Sequence, residues 1–282
     1  ARRYPQVAVP GPAVEVVAGD LADAAALERL VQGAQAVIHL AGAVKARDAA
    51  GFMAANADGT ARLAQAWQRR APQAHMVLVS SLAARAPELS PYATSKRAGE
   101  TRLAGIAGAG GGYTILRPAA VYGPGDRETL AVFRAARLPV QPVPGGPQAR
   151  VCLIHAADVA AAVAAIAGAV PAGATHELSD ARRAGYAWSE IAAEAARALG
   201  RRPHPVRVPA IVLALVARAG DAAAALGGQA VMLSSAKLGE VLHSDWSSSP
   251  QAQPPAATWH PAIALPEGFR ETVAWYREHE WL

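Results

Sequence analysis

Three side chains about a third of the way along the chain have types and spacing suited to moving a proton. Tyr92 and Lys96 stand four apart in Ser90-Pro-Tyr-Ala-Thr-Ser-Lys96, and Ser81 ends the apolar run His75-Met-Val-Leu-Val-Ser-Ser81. Residues four apart share one face of a helix, and Ser90 as N-cap with Pro91 at the first helical position predicts that a helix starts here. A free phenol, with a pKa of about 10, is a poor acid or base near neutrality. An ammonium one turn away is expected to lower that pKa. A carbonyl held between Ser81 and Tyr92 could take a hydride on carbon while Tyr92 delivers the proton to oxygen. The chain has six tyrosines and, beside Lys96, only Lys45 and Lys237 as lysines, so the spacing is unusual. The bland alternative is an ordinary helix with an exposed Tyr and Lys, and the surrounding elements must decide.

Those elements alternate. Strand-like runs over 13–19, 36–42, 75–81 and 113–123 are separated by helix-like stretches over 21–32, 48–70 and 90–106. Buried strands alternating with helices predict an α/β fold with a doubly wound parallel sheet, in which ligands sit at the carboxyl ends of strands. Gly19-Asp20, Ala41-Gly42, Ser80-Ser81 and Pro118-Ala119 all fall at such ends. Beyond Gly123 the pattern loosens into a Pro- and Gly-rich stretch over 124–150 with one helix near 128–137. A strand over 151–155, an Ala-rich helix over 158–167 and a short strand over 175–179 follow. Helices are then expected over 188–199, 209–226 and 267–279. The Gly-rich run 108–112 follows a helix and precedes a strand, the reverse of a phosphate-binding loop, and is read as a connection.

Composition excludes several classes. With 282 residues and 52% hydrophobic content the chain can bury a large core. Its net charge of +5 is carried by scattered arginines, which argues against a nucleic-acid-binding arm and permits an anionic ligand or an acidic lipid surface. Cys152 is the single cysteine, so no disulfide can form within the chain, which fits a reducing, cytoplasmic setting. No Cys/His spacing fits a metal site, and no uncharged apolar stretch reaches the length of a membrane span. The run from Val206 to Ala217 is the most apolar outside the sheet. It is expected to be a helix buried on more than one side or, on a sharper reading, the wall of an apolar substrate channel touching a membrane surface.

In order along the chain, Gly19-Asp20-Leu21, Leu40-Ala41-Gly42, Asn56 with Gly59-Thr60, Ser80-Ser81, Tyr92-x-x-x-Lys96, Arg117-Pro118 with Tyr122-Gly123-Pro124, and His155 with Asp158-Val159-Ala160 resemble the extended short-chain dehydrogenase/reductase superfamily, its epimerase/dehydratase-like branch. The resemblance covers most of the chain. It implies a Rossmann domain over 1–124, with 150–168 returning to it, and a substrate-binding lobe over 125–149 and 169–282. It implies a nicotinamide dinucleotide cofactor, with Asp20 and Leu21 at the adenine, Leu40, Ala41 and Gly42 along the ribose-phosphate path, Lys96 at the nicotinamide ribose, and Pro118 and Val121 flanking the nicotinamide. Asn56 would hold a water behind Lys96 in a proton relay, Ser81 rather than Ser80 would meet the carbonyl, and Asp158 would cap a helix. Arg2 and Arg3 would stand beside the adenosine 2′ position, where arginine suits the phosphate of NADP. The family's first strand and Gly-x-x-Gly-x-x-Gly turn are missing from the sequence as given, and are expected ahead of Ala1 in the natural chain.

The implied activity is NADP-dependent reduction of a ketone. A nucleotide-sugar epimerase or dehydratase and a non-catalytic dinucleotide-binding subunit are the alternatives. Leu82-Ala-Ala84 after Ser81, where a dehydratase carries acidic residues, and the short Ser81–Tyr92 spacing weigh against sugar nucleotides. Residues 242–247 and 267–276 resemble the branch near the complex-I-associated subunit and bacterial ketoreductases of sphingolipid (ceramide) synthesis. They imply an apolar, lipid-like substrate, with peripheral membrane contact as a further expectation.

Overall fold

The computed structural model describes residues 14–171, 173–202, 204–225 and 235–282. Four short apolar segments pair in parallel in the order Ala36–His39, His75–Val79, Tyr113–Pro118, Ala174–Leu178. Side chains alternate across a strand, and the second strand uses both faces. Met76 and Leu78 join Leu27, Leu63, Trp67 and Leu103 in one core, while Val77 packs with Leu116, Val163, Ile166 and Leu178 in the other. The helices Ala24–Val31, Gly59–Arg70 and Pro91–Ala107 cover the first side, and Ala156–Ala167 covers the second. This is a Rossmann-like α/β arrangement, with sheet ends converging on one edge.

The helix over 48–70 is not uniform. It runs Ala49–Phe52, then a π-helical insertion at Met53–Asp58, then Gly59–Arg70. The helix Pro91–Ala107 crosses it at close range, and Gly99 is what permits the approach. A Cβ at Gly99 would lie 2.5 Å from the Asn56 carbonyl oxygen.

Three expectations are corrected. Residues 14–20 form no strand and lie mostly exposed. Among the described residues no strand pairs with the outer edge of Ala36–His39. Asp20 fixes it as a turn instead, its carboxylate accepting from the amides of Ala22 and Asp23. The strand Ala174–Leu178 was expected in the substrate lobe but is the fourth strand of the sheet, because Ile115, Leu116 and Arg117 offer it a parallel ladder. The helix Ala210–Ala225 is not buried on several sides. Its small-residue face, Ala217 and Gly220, is buried, while Ile211 is 72% and Leu215 61% exposed.

The Gly99 contact generates an expectation opposite to helix propensity. Gly99→Ala should cost about 1–3 kcal/mol of stability by overpacking, whereas Gly105→Ala on the same helix, with open space at its Cβ, should gain up to about 1 kcal/mol. Denaturant melts of the two variants provide the check. A stabilised Gly99→Ala would refute the tight crossing.

Candidate active site

The strand His75–Val79 delivers Ser80 and Ser81 to the sheet edge, and the two hydroxyls part company there. Ser80 is buried and donates to Glu100 Oε1 at 2.6 Å. Glu100 is itself gripped by Arg117, from Nε at 2.9 Å and from Nη2 at 2.5 Å. Ser81 caps the short turn Leu82–Arg85, lines a cavity, and lies close enough to the phenol of Tyr92 to act on its pKa. The start of the helix Pro91–Ala107 is built as its sequence dictates, with the Ser90 hydroxyl accepting from Ala93 N and Pro91 at the first position. Tyr92 and Lys96 follow on one face, with the Lys96 Nζ 6.0 Å from the centre of the Tyr92 ring. Phe52 packs its ring edge-to-face against Tyr92.

The electrostatics differ from the expectation. Burial raises the Tyr92 pKa and is the leading effect; Ser81 works against it and the charge of Glu240 adds to it. The Lys96 ammonium is turned to the Val79 carbonyl at 3.3 Å, and burial lowers its own pKa against the pull of Glu100. Tyr92 therefore holds its proton firmly.

Asn56, within the π-helical insertion, has both amide hydrogens committed. Nδ2 donates to Ala43 O at 3.0 Å and to Ser95 Oγ at 2.9 Å, and Oδ1 accepts from Ala43 N at 2.7 Å. It thereby ties the loop after the first strand to the helix bearing Tyr92 and Lys96. Gly42 lies in that loop, exposed at the strand end. A Cβ there would come within 2.8 Å of Asn56 Oδ1 and 3.2 Å of Lys96 Nζ. This is a cradle that a side chain would fill, and it fits a nicotinamide dinucleotide reaching Lys96. Leu40, Ala41 and Val121 lie exposed, Asp20 forms the exposed turn before Leu21, Leu21 rests on Gly59, and Pro118 is buried at its strand end. Arg2 and Arg3 lie outside the described residues. Asp158 does not cap its own helix. Its carboxylate accepts from Ala262 and Ile263 amides, anchoring the segment before the last helix, and His155 caps instead.

The sequence reading missed the helix Ser235–Leu242. It closes over the site: the Glu240 carboxylate accepts the Ser90 hydroxyl, and the Gly239 backbone packs against Leu89, where a Cβ would stand 2.5 Å from the carbonyl oxygen. Lys237 and Lys45 both pair with Glu128, at 2.7 and 2.6 Å. The one signal was Ser235-Ala-Lys-Leu-Gly-Glu-Val-Leu242, apolar and charged at helical spacing. A cavity of about 230 Å³ lies between this helix and the sheet edge, lined by Ser81, Pro118, Cys152, Trp188, Glu240 and Trp246 among others.

Residues 2–178 match the NAD dependent epimerase/dehydratase family, and the chain belongs to that family. It is thus an NAD(P)-dependent oxidoreductase of the extended short-chain dehydrogenase/reductase type. It is 44% identical over 270 residues to a protein named ceramide reductase from Caulobacter vibrioides (strain NA1000 / CB15N), covering 95% of this chain and 82% of the relative. Among solved structures it is similar to MoeE5 in complex with UDP-glucose and NAD, with a TM-score of 0.67 and 21% identity over 93% of this chain and 85% of the other. RMD from Pseudomonas aeruginosa with NADPH gives a TM-score of 0.64 and 21% identity over 96% and 92%. No described helix is long and apolar enough to cross a membrane, and the described residues hold no group of metal-ligating side chains.

His39, beside this site, supplies a pH prediction. Its Nε2 lies 3.0 Å from Thr60 Oγ1, whose hydrogen goes to the Asn56 carbonyl, so Nε2 must be the donor. Burial, then the Lys96 charge, lowers its pKa to about 4. The unfolded chain takes up this proton as pH falls through about 6.5 and the folded protein does not until about 4. The stability is full above that window and is lost on descending it, by up to about 3 kcal/mol. His39→Gln, which keeps a donor for Thr60, should show a shallower loss between pH 6.5 and 4 in urea titrations. Equal slopes would contradict the assignment.

Proposed function

We propose that the protein reduces a ketone to a secondary alcohol at the Ser81–Tyr92–Lys96 site, with NADPH as the preferred cofactor and a lipid-like 3-keto-sphingolipid or ceramide as the substrate class. The observation that carries this reading is the meeting of Ser81, Tyr92 and Lys96 at a strand end beside the open Gly42 cradle and under a mostly apolar cavity. The cofactor, when bound, supplies the hydride that adds to the carbonyl carbon. Ser81 donates to the carbonyl oxygen, and Tyr92, which burial keeps protonated, transfers its hydroxyl proton to that oxygen as the alcohol forms. Lys96 stands beside the phenolate left behind and stabilises it. Asn56 fixes the relation between Gly42 and the catalytic helix. Asp20, Leu21, Leu40, Ala41, Gly42, Lys96, Pro118 and Val121 hold the dinucleotide, with Arg2 and Arg3 favouring a 2′-phosphate. The name of the Caulobacter relative supports the lipid class.

In the full-length protein with NADPH, kcat/KM should rise along a series of ketones by about fourfold for each methylene buried, the equivalent of about 0.8 kcal/mol. UDP-sugars should turn over poorly, and NADH should serve less well. Tyr92→Phe should lower the rate by about 10²–10⁴ with little change in cofactor binding. A response flat with chain length, or turnover confined to UDP-sugars, would shift the reading to a nucleotide-sugar epimerase.

The exposed face of the helix Ala210–Ala225 favours contact with a bilayer. Ile211, Val212, Leu215 and Val216 form its stripe, exposed Arg218 lies one turn beyond Leu215 on the same face, and exposed Arg207 precedes the helix. Such a face inserts at an anionic interface. Sedimentation with phosphatidylglycerol vesicles should capture the protein, phosphatidylcholine vesicles should capture less, and the double change Ile211→Glu with Leu215→Glu should abolish capture. Equal binding by that variant would rule the surface out.

A further inference from the structure

The turn that carries Ser81 also carries the group that fastens one wall of the cavity. Ser81 caps the turn Leu82–Arg85, and the Arg85 guanidinium binds a segment 160 residues further along the chain. It donates from Nη2 to the Asp245 carbonyl and from Nη1 to the Ser247 carbonyl, each at 2.7 Å. It also stands over the ring of Trp246, 5.9 Å from its centre. A planar guanidinium can hold two carbonyls in one fixed geometry, which the point charge of a lysine cannot. The buried Glu177, on the strand Ala174–Leu178, lies 3.7 Å from Arg85 Nη1 and accepts from the Ser249 amide at 2.8 Å.

Trp246 lines the cavity together with Ser81. Its segment joins the protein by a parallel pairing of only two residues, Asp245–Trp246 with Arg150–Val151, fewer than a strand ordinarily has. Its carbonyl accepts from the Cys152 amide at 3.1 Å, and its indole N–H donates to the Glu240 carbonyl at 2.8 Å. Arg85 is the tie that runs from this wall to the turn bearing the Ser81 hydroxyl. Resting on the lipid-ketone reading above, we propose that Arg85 is a positioning residue for substrate choice. It holds the Trp246 wall in place relative to Ser81, so that the apolar chain of the ketone packs against that wall while the carbonyl meets Ser81 and Tyr92. Arg85 does not itself line the cavity and acts through Trp246.

The test is the chain-length response of kcat/KM for a ketone series in the full-length protein with NADPH. The wild type should gain about fourfold for each methylene buried, and Arg85→Ala should cut that step to about twofold or less. The loss should fall on KM for the long ketones rather than on kcat. A merely structural defect lowers all ketones by one factor and leaves the step as it was. Arg85→Lys, which keeps the charge without the fork, should give an intermediate step, and it provides the test by itself if the alanine variant does not fold. Trp246→Ala should flatten the response as Arg85→Ala does, and the two changes together should flatten it no further, because both act on one wall. A wild-type step in the Arg85 variants that fold, or additive flattening in the double variant, overturns the role of Arg85 and leaves the lipid-ketone reading standing. A wild-type response that is itself flat overturns that reading and the role of Arg85 with it.

Discussion

The site depends on one buried side chain that does not touch the reacting atoms. Asn56 is held by a π-helical insertion, the kind of irregularity that recurs at functional sites because it turns one residue out of register. From there its amide bonds twice to Ala43 and once to Ser95. The loop after the first strand and the helix bearing Tyr92 and Lys96 are therefore fixed to one another through a single group. Gly42 and Gly99 are the steric counterpart. Each has a neighbour that a Cβ would strike, Asn56 Oδ1 for Gly42 and the Asn56 carbonyl for Gly99. Hydrogen bonding sets the arrangement, and the two glycines allow it to close.

Two carboxylates frame the catalytic helix, and their surroundings give them different work. Glu100 is buried and saturated by Ser80 and a two-pronged Arg117, so its charge is compensated. A buried pair of this kind is costly to break because the remaining charge would stand alone. By holding Ser80, it leaves Ser81 as the hydroxyl at the cavity. Glu240 has no cation bonded to it among the described residues, and burial raises its pKa, partly offset by the bond from Ser90 and by the charge of Lys237. The position of Glu240 comes from its helix, which is pinned by Lys237 to Glu128 and by the close passage of Gly239 over Leu89.

Much of this was legible in the sequence where local chemistry and tertiary structure agree. The Ser90-Pro91 start, the apolar strand ending in two serines, and the 3.6-residue spacing of Tyr92 and Lys96 each state a local preference that the fold keeps. The failures share a cause. Residues 14–19 have strand composition yet form no strand, because composition does not carry pairing and the Asp20 turn holds the end of the segment instead. The Ala174–Leu178 segment errs in the other direction, since a sheet edge was available to it. Hydropathy predicted that the helix Ala210–Ala225 would be buried, but hydropathy reports what a residue prefers, and Ile211 and Leu215 are exposed. The π-helical insertion has no periodicity to read, and the role of Glu240 depends on a contact spanning 150 residues.

The direction of the Tyr92 shift bears on which half of an oxidoreductase reaction the site is built to serve. Oxidising an alcohol requires a base, and a phenol whose pKa has been raised is a poorer one at neutral pH. Reducing a ketone requires an acid that retains its proton until charge develops on the carbonyl oxygen. Burial, the leading cause of the raised pKa, and the nearby Glu240 charge both disfavour the phenolate. The same burial lowers the Lys96 pKa, which limits how far a cation can counter it. A bound dinucleotide with an oxidised, positively charged ring would favour the phenolate, whereas the neutral reduced ring would not. Burial thus keeps Tyr92 in the protonated form from which the proposed ketone reduction draws its proton.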